Sequence, residues 1–336
     1  MSEESLRCGF VTGALPLYST GVRRSPCLCF ATPRNSFGRK PFIKAPVLEK
    51  LSRPTLVPVV MSTTATKTRY VDSDFSVFRI SPNEEDLVAS FGEYFVEIAS
   101  NAVKKQGSFT LAISGGSVLQ YFSKAILETP DRKERVDWEN TLIFLVDERY
   151  VPWDDPQSNF GQLRKALQRS GIDQKVKVFP VNTSLPLEEA ASSYEHDILS
   201  CENQTDFIRV LHQPVKYQVE RVPAFDLILL GLGEDGHTAS LFPNKELLGE
   251  TKKLVAYERN SPKPPSERIT LTFPALNYAK NVAFIVVGKG KADIMQRLCE
   301  DHSVQYPARL VTPFLTRKDW FVDEDAMSKV QAAQEK

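Results

Sequence analysis

The sequence predicts an α/β fold in which helices flank a mostly parallel sheet. Short apolar runs with the length and composition of strands buried on both faces occupy 109–113, 141–146, 225–230 and 281–287. Segments with helical spacing of apolar residues lie between several of them, as crossover connections between parallel strands require. Each run ends in glycines or charged residues, and ligands bind at the carboxyl ends of strands in such sheets.

Capping residues and apolar periodicity predict the helices. The first begins near Asn83 and continues to Lys105. Further helices are expected at about 118–127, 159–170, 187–199 and 292–300. Towards the C-terminus we expect a last short strand at 308–311 and a frayed tail after Asp325.

Residues 1–65 are predicted to be a disordered organelle transit peptide. The segment is basic, poor in acidic residues, and rich in hydroxyl residues and prolines. Its acidic opening and its prolines favour a plastid leader over a mitochondrial one, and an ordinary disordered tail is the alternative. Met61 offers a second start, which would give a cytosolic form. Residues 66–336 are predicted to form one α/β domain, with a loop insertion near 200–222.

Composition excludes several classes of partner. The chain has 42 basic and 42 acidic residues, so no overall field attracts nucleic acid. No apolar run is long enough to cross a bilayer. Outside the leader, Cys201 and Cys299 do not form a disulfide or zinc-binding pattern. We expect a monomer or weak oligomer that binds a small molecule without a metal or another cofactor.

The most informative stretch is 225–243, FDLILLGLGEDGHTASLFP, in which a glycine-rich turn follows a buried strand. The turn places Asp235 two residues from His237, which makes His237 a candidate acid–base group. A hydrogen bond inside the loop is the plainer alternative for this histidine. The string GLGEDG also matches a dinucleotide-binding fingerprint, but Glu234 and Asp235 would repel a pyrophosphate and the motif comes late in the chain.

A second glycine-rich turn joins the strand at 109–113 to the next predicted helix. Gly115, Gly116 and Ser117, which we call the anion loop, direct backbone N–H groups at an anion when a helix follows them. The loop lacks the Lys-Ser/Thr of a nucleotide P-loop, so a small phosphate monoester suits it better. Lys291, at a glycine-bordered helix start, is another candidate phosphate ligand.

Charged residues end the strand at 141–146. Asp147 lies beside a second carboxylate, but the neighbouring Arg149 and the lack of further ligands argue against a metal. The planar guanidinium of Arg149 is suited to binding phosphate or carboxylate oxygens. A surface ion pair of little energetic value is the alternative.

Together these segments resemble the 6-phosphogluconolactonase family over about residues 74–327. The resemblance rests on SGGS, DERYVPWDDPQSNF, the 225–243 stretch, PSERITLTFPALNYA and GKGKA, in the family's order. It implies a Rossmann-like α/β fold and hydrolysis of 6-phospho-D-glucono-1,5-lactone in the pentose phosphate pathway.

Two alternatives to the lactonase activity remain. The related glucosamine-6-phosphate deaminases have a loop of the form DGHIAFNEP, whereas this chain reads DGHTASLFP, which favours the lactonase. A sugar-phosphate-binding regulator without activity is disfavoured, since His237, Asp235 and Arg149 are all present.

The resemblance also implies roles for the site residues. His237 would activate water and Arg149 would stabilise the oxyanion. Either Asp235 or Asp147 would orient the imidazole. The substrate phosphate would bind to Arg268, Lys291 and the amides of the anion loop.

Overall fold

The computed structural model of the chain describes residues 76–201, 208–210, 217–301 and 303–330. The predicted transit peptide lies outside these residues. The described strands are β1 (Ser76–Ser81), β2 (Phe109–Ile113), β3 (Thr141–Leu145), β4 (Asp147–Arg149), β5 (Lys177–Phe179), β6 (Ile208–Val210), β7 (Arg221–Pro223), β8 (Leu227–Leu230), β9 (Val255–Glu258), β10 (Arg268–Leu271), β11 (Val282–Val286) and β12 (Lys318–Asp323).

Helices connect many of these strands. They are α1 (Glu84–Gln106), α2 (Ser117–Phe122), α3 (Pro130–Glu134), α4 (Asn159–Ser170), α5 (Leu187–Leu199), α6 (Phe273–Leu276), α7 (Ala292–Glu300), α8 (Pro307–Leu310) and α9 (Glu324–Met327). A π-helical turn at Ser123–Leu127 extends α2, and 3₁₀ turns lie at Glu246–Gly249 and Lys289–Lys291. Among the described residues, no helix combines the length and apolarity needed to span a bilayer.

Seven strands form one sheet in the order β1-β12-β11-β8-β2-β3-β5, and every neighbouring pair is parallel. The four apolar runs identified in the sequence supply β2, β3, β8 and β11, whose side chains are all buried. The prediction of a parallel α/β fold is therefore confirmed. Because these four strands are parallel neighbours, their carboxyl ends meet at one edge of the sheet.

Two smaller sheets lie outside the parallel one. Strand β10 pairs antiparallel with both β4 and β9. Strands β6 and β7 also pair antiparallel, and they lie within the stretch that the sequence presents as an irregular insertion. That stretch thus contains a strand pair, while residues 202–207 and 211–216 lie outside the described part.

One of the two C-terminal predictions is wrong. The predicted strand at 308–311 is instead helix α8, which Pro307 begins because proline is well suited to the first helical turn. The first two residues of the tail expected to fray after Asp325 belong to α9, which is capped by a hydrogen bond from the Ala326 N–H to the Asp323 carboxylate. Residues 331–336 lie outside the described part.

The sequence reasoning also missed β12, an interior strand between β1 and β11. The charged residues at its ends, Lys318 and Asp323, make its apolar centre hard to recognise in the sequence. Lys318 is buried, and its ammonium is stabilised there because it donates to backbone carbonyls, including that of Val311 at 2.9 Å. Tertiary partners therefore satisfy a charge that, read along the chain alone, argues against a buried strand.

Replacing Trp320 tests the contribution of β12. Its fully buried ring stacks on Phe284 at 4.0 Å and on Phe78 at 5.6 Å between ring centroids. Trp320→Ala should lower the free energy of unfolding by about 3–5 kcal/mol, measured by urea denaturation, since it opens a cavity in the core. Trp320→Phe is the control: it retains the stacking and should cost much less. Equal losses in the two variants would contradict this account.

Candidate active site

A cavity of about 270 Å³ opens at the carboxyl edge of the parallel sheet. The segments that follow β2, β3, β8 and β11 all contribute to its wall. Seven of the residues predicted from the sequence line it: Gly115, Gly116, Ser117, Asp147, Arg149, His237 and Lys291. The structure thus brings together groups that lie up to 176 positions apart in the chain.

An Asp–His pair lies beside this cavity. The Nδ1 atom of His237 is 2.5 Å from Oδ1 of Asp235, and the ring also packs on Phe242. This contact leaves Nε2 as the nitrogen available to a substrate or water. Burial would raise the pKa of Asp235, but the hydrogen bond from His237 and the nearby charges of His237 and Lys263 hold that pKa at about 2. Asp235 is therefore ionised at neutral pH.

Two glycines make the turn that carries this pair possible. A Cβ atom at Gly233 would lie 1.9 Å from Nδ1 of His237, so any side chain there would displace the imidazole. Gly236 has a φ of 83°, and a Cβ atom there would lie 2.3 Å from the Tyr306 ring. No helix begins in the turn, and the next helical residues are Glu246–Gly249. The local structure lacks the helix start that a dinucleotide fingerprint requires.

Strand β4 holds two cavity residues around a buried carboxylate. Glu148 is fully buried, and its oxygens accept hydrogen bonds from the backbone N–H groups of Arg149, Asn159 and Phe160 and from the Ser158 hydroxyl. Burial raises the pKa of Glu148 to about 7, while the backbone donors oppose that rise. Glu148 therefore anchors β4 to the first turn of α4.

Asp147 and Arg149 flank this buried carboxylate. Asp147 accepts a hydrogen bond from the Ser240 hydroxyl at 2.9 Å, whereas the carboxylate bonded to His237 is that of Asp235. One terminal nitrogen of Arg149 donates to the Gln157 carbonyl at 3.3 Å, and its Nε is buried without a hydrogen-bond partner. The guanidinium retains donors for a ligand.

Backbone conformation sets the shape of the anion loop. Gly116 has a φ of 65°, and α2 begins at the next residue, so the first N–H groups of α2 have no acceptor within the helix. Across the cavity, Nζ of Lys291 donates to the Leu232 carbonyl at 2.7 Å. Burial lowers the pKa of Lys291. One of the three ammonium protons is committed to that carbonyl, which leaves two for a ligand.

Arg268 does not line the cavity. Its guanidinium donates to the carbonyls of Lys263, Pro264 and Pro265, at 3.0, 3.1 and 2.7 Å. Burial, and then the charge of Arg149, lowers the pKa of Arg268 to about 10. This placement gives no support for the expected contact between Arg268 and a substrate phosphate. The side chain instead braces the loop that carries Lys263.

The cavity also includes residues that the sequence reasoning did not assign to it. Lys263 lies in the proline-rich loop, and its ammonium is 3.9 Å from Oδ1 of Asp235. Asn159 and Glu234 also contribute to the wall. Asn159 follows a helix cap and Glu234 precedes Asp235, so both could be read as local features. The only sequence signal for Lys263 is that it is a basic residue within a stiff, proline-rich loop.

Among the described residues, no group of three or more His, Cys, Asp or Glu side chains is arranged to hold a metal ion. The cavity instead brings together three cations, backbone amides, an Asp–His pair and the two further carboxylates of Asp147 and Glu234. Such a set can bind an anionic ligand and transfer a proton.

The parallel α/β fold and this arrangement define a candidate site for a small anionic ligand at the carboxyl edge of the sheet. The chain belongs to the family described as glucosamine-6-phosphate isomerases/6-phosphogluconolactonase, whose model matches residues 82–320. This confirms the resemblance inferred from the motifs.

Individual relatives agree with this assignment. The chain is 38% identical over 256 residues to a rice (Oryza sativa subsp. indica) protein named probable 6-phosphogluconolactonase 4, chloroplastic, covering 74% of this chain and 75% of that protein. It is 36% identical over 252 residues to the 6-phosphogluconolactonase of Rattus norvegicus, covering 75% of this chain and 91% of the rat protein.

Solved structures show the same fold. The 6-phosphogluconolactonase of Thermotoga maritima matches with a TM-score of 0.57 at 29% identity, covering 74% of this chain and 99% of that one. The Trypanosoma brucei enzyme of the same name matches with a TM-score of 0.61 at 25% identity, covering 76% and 98%.

The pKa of Asp235 gives a testable pH dependence. Because this pKa falls from an ordinary value of 3.8 to about 2 on folding, the ionised carboxylate stabilises the protein above pH 3.8. That stabilisation should be lost as the pH falls towards 2. The measurement is the free energy of unfolding of the wild type and of Asp235→Asn across this range. The difference between them should narrow as the pH falls, and a constant difference would contradict the assignment.

Proposed function

We propose that this protein hydrolyses 6-phospho-D-glucono-1,5-lactone to 6-phospho-D-gluconate. The observation that carries the proposal is the Asp235–His237 pair beside a cavity whose wall includes the anion loop and the cations Arg149 and Lys291. Relatives in rice and rat are named for this activity. The reaction is the second step of the oxidative pentose phosphate pathway.

In the proposed reaction His237 is the general base. Its Nε2 takes a proton from water as the oxygen attacks the lactone carbonyl at C1. Asp235, bonded to Nδ1, orients the ring and stabilises the imidazolium that forms. The imidazolium then protonates the ring oxygen as the C1–O bond breaks, which opens the lactone and restores the neutral base.

Electrostatic roles fall to the remaining cavity residues. Arg149, with donors still available, stabilises the tetrahedral oxyanion. The anion loop and Lys291 bind the 6-phosphate. Asp147 accepts a hydrogen bond from the Ser240 hydroxyl through one oxygen, and its second oxygen can accept from a substrate hydroxyl. We assign Arg268 no direct contact with substrate.

A comparison of substrates tests the activity. Purified protein containing residues 66–336 should be given the phosphorylated lactone and glucosamine 6-phosphate in parallel, with and without EDTA. We expect 6-phosphogluconate to form well above the spontaneous rate, with no release of ammonia and no effect of EDTA. Ammonia from the amino sugar would favour the deaminase, and turnover of neither would favour a binding protein. Loss in EDTA that a metal restores would overturn the metal-free mechanism.

His237→Ala should lower kcat by about a hundred- to ten-thousand-fold, because the general base is lost. Binding of 6-phosphogluconate, measured by calorimetry, should change little. His196→Ala is the matched control, since that histidine is exposed on α5 and outside the cavity. Unchanged turnover in His237→Ala would remove this residue from the chemistry.

Lys291→Ala should mainly raise KM, by about tenfold or more, because a charge-assisted contact to the phosphate is lost. Lys289→Ala is the matched control: it lies in the same turn, is exposed and does not line the cavity. Initial rates over a range of lactone concentrations separate KM from kcat. A loss confined to kcat would instead place Lys291 in the chemical step.

We also propose that the protein acts in the plastid stroma. The basic, acid-poor N-terminal sequence and the relatives named chloroplastic support this location. Residues 1–65 fused to a fluorescent protein should direct it into isolated chloroplasts with removal of the leader. A chain that starts at Met61 should remain outside, and import of both forms would contradict the role of the leader.

A further inference from the structure

Asn159 connects the two parts of the site that are far apart in sequence. Its side chain is buried, and Nδ2 donates to the backbone carbonyl of Asp147 at 2.8 Å. The other atom of the amide, Oδ1, is the heavy atom nearest to the side-chain position of Gly115. Oδ1 is buried and has no hydrogen-bond partner.

The unpaired oxygen packs against the anion loop. A Cβ atom built on Gly115 would lie 1.9 Å from Oδ1, 2.3 Å from Cγ and 2.9 Å from Nδ2 of Asn159. These are the three heavy atoms nearest to it, so the Asn159 amide occupies the space that a side chain at 115 would need. Gly115 is not among the residues with positive φ, so the left-handed conformation is not the reason for a glycine at this position.

The position of Asn159 is itself well determined. Its backbone N–H donates to Oε1 of Glu148 at 2.7 Å, and its helix is capped by the Ser158 hydroxyl. The amide group is thus held from its backbone and from Nδ2 at once. It therefore has little freedom to move aside for a side chain on the anion loop.

We propose that Asn159 is a positioning residue that sets the separation between the anion loop and strand β4. Gly115 is then a glycine because Asn159 fills its side-chain space. This inference rests on the proposed function, in which the anion loop binds the phosphate and Arg149 of β4 stabilises the oxyanion. The fixed separation places the carbonyl carbon of a lactone next to Arg149 once its phosphate is bound.

A double-mutant cycle tests the proposal. Gly115→Ala should displace the anion loop and raise KM for the phosphorylated lactone by about tenfold or more, while hydrolysis of glucono-1,5-lactone, which has no phosphate, changes little. In an Asn159→Ala background, adding Gly115→Ala should raise KM by less than about threefold, because the clash has been removed. A general loss of folding would affect both lactones alike.

Two controls separate this contact from other effects. Gly116→Ala should be harmful through its φ of 65° and has no atom within 4 Å of the added Cβ, so Asn159→Ala should not rescue it. Gln162→Ala, one turn further along α4 and outside the cavity, should not rescue Gly115→Ala.

The outcomes are decisive in each case. A Gly115→Ala change that is harmless in the wild type, or equally harmful in both backgrounds, would overturn the proposal. If the single variant is insoluble, recovery of a soluble, active double variant supports it, and an insoluble double variant overturns it. Free energies of unfolding of the wild type, Gly115→Ala, Asn159→Ala and the double variant report the Asn159–Gly115 contact even if the lactone is not a substrate. Failure of the proposed function is therefore distinguishable from failure of this inference.

Discussion

The parallel hydrogen-bonded ladder of β8 with β2 on one side and β11 on the other is the constraint on which the site depends. Its register pairs Ile113 with Leu229 and Phe284 with Leu230, so β2 and β8 end within one residue of each other and β11 continues two residues further. The segments that follow these strands therefore meet at the carboxyl edge of the sheet. A shift of one residue in this register would turn every side chain of a strand to the opposite face, and the close packing of side chains on both faces opposes that shift. The rigid core thus defines where the cavity forms.

Within that frame, buried polar groups fix the details of the site. Glu148 ties β4 to α4 through backbone donors, and Asp323 similarly accepts from the Gly288 N–H at the start of the turn that leads to Lys291. Neither carboxylate lines the cavity. Each carboxylate fixes the position of a loop end through hydrogen bonds. Such preorganisation is what charge stabilisation in a transition state requires.

The cations that line the cavity make contacts that use only some of their hydrogen-bond donors. Lys291 gives one donor to a backbone carbonyl, Arg149 does the same, and Lys263 lies 3.9 Å from Asp235. These partial contacts hold the side chains in place and leave donors for an anionic ligand. Folding of a chain with equal numbers of acidic and basic residues therefore brings three cations from distant segments to one cavity, beside the carboxylates of Asp147 and Glu234.

The sequence by itself determined the parallel α/β class, most helix bounds and the identity of the Asp–His turn, because these depend on local periodicity and on glycines that neighbouring residues require. Tertiary structure decided what depends on distant partners. It placed β12 inside the sheet, since Lys318 finds carbonyl acceptors only after folding. It turned Arg268 towards the loop carbonyls and brought Asn159 against Gly115. No spacing along the chain encodes such contacts, because their energy comes from burial and hydrogen bonding between segments that only the folded sheet brings together.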